Sequence, residues 1–207
     1  MPVTPTSPDS DPPIGRTGSY SKGVARRQEI LDRALDVFRE RGPEGTSLRR
    51  VAEEIGVSHG ALLHYFRSRE QLLLALYEHT ETHRSELRDD DGAENEGAVE
   101  RLIAAASVNV QMPGFVQLYS TLVAGALEEG SGETKGFFTR RFENVRKQTA
   151  ERFRRQQEEG SVRTDLDADM VAALIVAASD GLQTQWLLEP SIDLEGTLGM
   201  LEELFRA

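Results

Sequence analysis

The chain has 207 residues, with 24 Lys or Arg against 35 Asp or Glu, and its net charge of -11 excludes a generic coat for nucleic acid. Cysteine is absent, which excludes a disulfide framework and a thiolate metal site and fits a reducing cytoplasm. The length suffices for one or two domains with a sizeable core, while no apolar run of about 18 residues and no apolar N-terminal stretch stands out, so neither a membrane partner nor a signal peptide is expected.

Met1–Ser19 holds most of the prolines together with Ser, Thr, Asp and Gly, lacks an apolar period, and is expected to be a disordered arm. Residues 20–69 are expected to form a small head. Its first helix runs from about Val24 to Arg41 on a face of Ile30, Leu31, Ala34, Leu35 and Phe38, and Gly42-Pro43-Glu44-Gly45 breaks it. Ser47–Phe66 then reads as two short helices with a tight turn. Leu48, Val51, Ala52 and Ile55 recur at i, i+3, i+4, i+7, with Ser47 placed to cap them. Gly56 can end that helix at positive φ, and Ser58 can cap the next, which carries Ala61, Leu62, Tyr65 and Phe66.

A unit of this size is that of a DNA-reading helix-turn-helix, although the pattern alone also fits two helices of any all-α core. In the first case the N-terminal end of the second helix enters the major groove. Ser58, His59, Gly60, Ala61 and His64 are then the candidates to reach DNA, and Ser47, Arg49, Arg50 and Arg69 the candidates for phosphate. Tyr65 packs in the head and can present its hydroxyl to backbone. Local charge agrees: residues 20–70 carry ten Lys/Arg against eight Asp/Glu, whereas residues 71–207 carry thirteen against twenty-five.

Ser68 can cap a fourth helix, 68–88, which connects the head to the remainder and turns Leu72, Leu73, Leu76 and Tyr77 inward. His79 and His83 lie at i, i+4 on it, a spacing that can hold a metal, although two exposed polar histidines explain it as well. After an acidic loop at Asp89–Glu96, residues 89–207 read as a second helical domain. Its helices are Ala98–Val110, one from Pro113 to about Leu127, Glu133–Glu159, Ala168–Leu188 and Asp193–Arg206. The third of these has Phe138, Phe142, Val145, Thr149 and Phe153 on its seam and reads as solvated elsewhere. Strand-like alternation persists nowhere, so the chain is expected to be all-α.

Met170–Ala178 is apolar on every face, which requires its own domain on one side and something else on the other. A second copy of the chain, related by a two-fold axis, meets that need. Ala173, Val176 and Ala177, with Leu198, Leu201 and Phe205 of the last helix, are the expected dimer interface.

Gly56-Val57-Ser58-x-Gly60-x-Leu62-x-x-Tyr65-Phe66, then Arg67-Ser68-Arg69-Glu70-Gln71-Leu72, closely resembles the signature of the TetR (tetracycline-repressor) family. The run-up Ala34…Phe38…Gly42…Gly45-Thr46-Ser47-Leu48…Val51-Ala52 does so too, and the resemblance extends without a gap from Val24 to about Leu73. One position departs: Leu63 stands where the family usually has a Tyr that touches a DNA phosphate. The resemblance implies a cytoplasmic, homodimeric transcriptional repressor, not an enzyme and without a cofactor. It implies a double-stranded, near-palindromic operator and release by a small-molecule effector. An apolar effector pocket in the second domain is implied as well, and Met112, Phe115, Tyr119, Phe142, Gln183 and Trp186 are its candidate lining. Two rival readings stay open. One is a helical ligand- or protein-binding dimer without DNA binding, which the lost Tyr would suit. The other is a metal-dependent enzyme built on His79 and His83.

Overall fold

The computed structural model describes residues 17–41, 48–86, 96–128 and 130–207. Ser47, the acidic loop and most of the N-terminal arm fall outside these residues, as do the side chains of Phe38 and His83. The helices are α1 Thr17–Arg41, α2 Leu48–Glu54, α3 His59–Tyr65, α4 Arg69–Glu86, α5 Ala98–Val110, α6 Pro113–Gly125, α7 Gly132–Glu158, α8 Ala168–Leu188 and α9 Leu194–Phe205. Among the described residues no strand forms, and a single antiparallel bridge joins Val162 to Arg206. The all-α expectation therefore holds.

The first helix starts at Thr17 rather than near Val24, so residues 17–19 belong to α1 and not to the arm. The physical reason is local. The arm's last proline is Pro13, and once a helix has nucleated each added residue gains a hydrogen bond. The Ser68 cap falls where the sequence puts it, and Asp167 caps α8. Gln71 N donates to Ser68 Oγ at 3.1 Å at the head of α4, and Asp167 accepts from Asp169 N and Met170 N at 2.9 Å at the head of α8.

Burial follows the apolar stripes, but the core is not divided at residue 89. Ile30, Leu31 and Ala34 of α1, Val51 and Ala52 of α2, and Leu62 and Phe66 join six successive buried residues of α4, Leu72–Tyr77. That same cluster continues into Phe115, Leu118, Tyr119 and Leu122 of α6 and Phe138 of α7. Helix α4 is thus buried between head and body and packs against α1, α6 and α7. A second cluster of α5, α7, α8 and α9 centres on Phe153, Ala172 and Ile175. By length and composition α8 would pass for a membrane-crossing helix, which the sequence reading did not expect; in the fold its buried side packs on α5, α6, α7 and α9.

Candidate nucleic-acid interface and ligand cavity

Gly56 makes the turn of the head at φ +72, a conformation that costs other residues a steric clash. Val57 N reaches back to Ala52 O at 2.9 Å, and Ser58 Oγ accepts from Ala61 N at 3.0 Å, fixing the start of α3. Leu62 and Phe66 point into the core, and the Arg27 guanidinium sits 5.0 Å from the Phe66 ring centroid. His59, Gly60, Leu63 and His64 face solvent beside Ser58, with Ala61 half-buried. Tyr65 is half-buried and edge-on to His64, 5.3 Å between centroids. Arg49, Arg50 and Arg69 are exposed around it, Arg49 pairing with Glu53 at 3.2 Å. Arg67, which the sequence reading left out, is exposed beside them.

His79 is not an exposed histidine. Its side chain is buried between α4 and α1, where Gln28 Nε2 donates to Nδ1 at 2.6 Å and Nε2 donates to Asp32 Oδ1 at 2.7 Å. Both ring nitrogens are committed to α1, so His79 is a tie between body and head and not half of a metal site. Among the described residues no three His, Cys, Asp or Glu gather to hold an ion.

The body encloses a cavity of about 90 Å³ between α4, α5, α6, α7 and α8. Its walls mix the expected apolar side chains with a cluster of charged and amide groups that was not expected. Arg141 of α7 lies 5.1 Å from the Tyr119 ring centroid and 5.7 Å from that of Tyr77, and pairs with Glu81 of α4 at 3.4 Å. Tyr119 donates its hydroxyl proton to Asp180 Oδ2 at 3.1 Å. Asn109 Nδ2 donates to Gln183 Oε1 at 2.6 Å, and Gln183 Nε2 to Ser179 O at 3.2 Å. Of the expected lining residues, Phe115, Tyr119 and Gln183 do line the cavity. Met112 lines a neighbouring groove instead, while Phe142 and Trp186 line neither space. Gln185 donates to Gly181 O at 3.3 Å.

Arg141 was missed because α7 reads as solvated away from its seam. The signal was present, since Arg141 sits three residues after Phe138 and four before Val145, on the same stripe. Asp180 likewise falls one turn after Val176 in an otherwise apolar helix. Burial holds the Asp180 carboxyl above the usual aspartate range, outweighing the Tyr119 hydroxyl and Arg141. With the folded value raised, protonation favours the fold. That contribution is complete below about pH 4 and is lost as pH rises through the folded value. Asp180→Asn, neutral throughout, is therefore expected to melt higher than the wild type near pH 7 and to show a flatter dependence of Tm on pH above about pH 4. A thermal melt below the wild type at pH 7 would contradict this account.

The expected dimer face is corrected in part. Ala173 and Ala177 are exposed, but Val176 lines the cavity, Leu198 is fully buried, and Phe205 packs edge-on against Phe153 at 5.6 Å. Leu201 is half-buried. A helix apolar on every side hides which side is which, and here the packing decides it. The outer stripe is Met170 (71% exposed), Ala173, Leu174 (63%) and Ala177 of α8, with Met200 (64%) and Leu204 (63%) of α9 alongside.

The model for bacterial regulatory proteins of the tetR family matches residues 30–76, and that for the C-terminal part of BetI-type transcriptional repressors matches residues 131–206. The HTH-type transcriptional repressor Rv1474c of Mycobacterium tuberculosis is 30% identical over 160 residues, 77% of this chain and 81% of the relative. The chain belongs to the TetR family. The HTH-type transcriptional repressor AcnR of Corynebacterium diphtheriae is 51% identical over a shorter stretch of 51 residues, 25% of this chain and 27% of its own. A TetR transcription regulator of Haloarcula marismortui shares the fold, with a TM-score of 0.71 and 19% identity over 88% of this chain and 97% of that one. Family membership favours the DNA-binding regulator over the two rivals left open by the sequence, the DNA-free dimer and the metal enzyme.

Proposed function

We propose that the protein is a transcriptional repressor that grips a two-fold duplex site as a homodimer and lets go when an effector places a polar group in the cavity around Arg141. It acts in the cytoplasm, and its chemistry is binding rather than turnover. The observation that carries this reading is the sidedness of α3. Leu62 and Phe66 anchor it while His59, Gly60, Leu63 and His64 stand free, the arrangement a recognition helix needs. The outer stripe of α8 and α9 supplies a self-complementary face for the second copy. Effector control requires that the cavity bind its ligand better in one head arrangement than in the other.

Selection of duplexes from a random pool tests the reading. An inverted repeat with half-site centres about 10 base pairs apart is expected. Affinity should fall by orders of magnitude between low and moderate salt through counterion release. Arg50→Ala should weaken binding to all sequences alike, and His59→Ala should relax base preference. Failure to enrich any sequence, or a salt-insensitive complex, would refute it.

Leu63 is 38% exposed on the outer side of α3, where the family's Tyr meets backbone. Leu63→Tyr is expected to tighten binding to the selected duplex roughly three- to ten-fold through one hydrogen bond to phosphate. An unchanged dissociation constant would mean that position 63 does not face the DNA backbone.

A further inference from the structure

We propose that the effector has two unlike ends, and that a groove between α1 and α6 receives the apolar one. The inference rests on the ligand-responsive reading above and extends it. The cavity around Arg141 holds only about 90 Å³, and although Leu102, Val116 and Val176 are among its walls, Arg141, Glu81 and Asp180 place charged groups at it. Such a space recognises a polar group. Small-molecule sites, however, generally span about 300–1,000 Å³ and are mostly apolar, with a few placed polar groups. The missing apolar volume lies next door. Leu35, Met112, Pro113, Phe115 and Leu118 line a groove of about 320 Å³.

One aromatic side chain, Phe115, belongs to the walls of both spaces. Its ring stacks flat on Tyr77, with centroids 5.1 Å apart and planes within 8°. Phe115 is the residue the two spaces share, so a ligand that turns its ring aside would reach from the cavity towards the groove.

Position gives the groove its consequence. Leu35 is on α1, next to Ala34 in the core of the reading head, while the opposite wall is the first turn of α6. Filling the groove wedges α6 away from α1. The polar cavity meanwhile touches α4 through Tyr77 and Glu81. A ligand spanning both spaces thus contacts the two helices, α1 and α4, that carry the head.

The test uses the full-length protein and no knowledge of the natural effector. Because the chain has no cysteine, Gln111→Cys at the exposed rim of the groove is a single labelling site. It is modified with methyl, butyl or hexyl methanethiosulfonate, the methyl form serving as reference. As the chain lengthens and leaves water for the groove, Tm is expected to rise by roughly 5–10 °C from methyl to hexyl. Affinity for the selected duplex is expected to drop at least ten-fold over the same series. The same labels on Thr121→Cys, an exposed position of α6, should change neither. Equal Tm and equal affinity across the series at position 111, or the same shifts at position 121, would overturn the proposal. A protein that bound no duplex in any form would overturn the repressor reading instead, while the melting series would still report whether the groove takes an alkyl chain.

Discussion

Leu174→Glu is expected to yield a folded protomer that neither pairs with a second copy nor holds its duplex. Leu174 is 63% exposed within one chain, so the substitution leaves the protomer's own packing intact. In a dimer formed through the outer stripe of α8 and α9 it would bury a carboxylate without a partner, at a cost of several kcal/mol on each side of the axis. Once the copies separate, each head binds its half-site alone. The loss of linkage is then worth on the order of 10²- to 10⁴-fold in affinity. Light scattering should show a monomer, circular dichroism an unchanged helical content, and a duplex titration the loss of binding. A variant that stays dimeric would place the interface on another face. Val176→Glu is not an equivalent probe, because Val176 lines the cavity and its substitution disturbs the protomer itself.

The second large effect is expected from Leu62→Ala. Leu62 of α3 is wholly buried in the core cluster that also holds residues of α1, α2 and α4, and removal of a buried leucine side chain costs about 2–5 kcal/mol in lost burial and residual cavity. A head of this size has little stability of its own to set against that. Operator binding should vanish, while dimerisation, if it runs through α8 and α9 as proposed, persists. Leu63→Ala, one residue on and exposed, should change stability by no more than about 0.5 kcal/mol. If both variants melt alike and bind alike, the orientation assigned to α3 is wrong.

These two positions also show what could be read without coordinates. The period of Leu48, Val51, Ala52 and Ile55, the glycine at the turn and the two serine caps are local signals, and local signals place helices well. The inward facing of Leu72, Leu73, Leu76 and Tyr77 was legible for the same reason. What escaped is whatever depends on phase in a helix with no contrast, or on partners distant in sequence. In α8 an apolar residue occupies every side of Met170–Ala178, so periodicity could not separate Leu174, which faces out, from Ile175, which faces in. His79 looked solvated because Gln28 and Asp32, which hold it, lie about fifty residues earlier. Arg141 is charged on a strongly charged helix, and the rings of Tyr77 and Tyr119 beneath it, with the Glu81 carboxylate, explain its inward turn.

The sidedness of α3 bears on how such a regulator could change its target over time. Anchoring falls to Leu62 and Phe66, whereas 59, 60 and 64, the positions proposed to read bases, all stand in water. After gene duplication, one copy could drift at those three positions and acquire a new address on the chromosome while its head folds as before. Retargeting and misfolding are thereby decoupled within a helix only seven residues long.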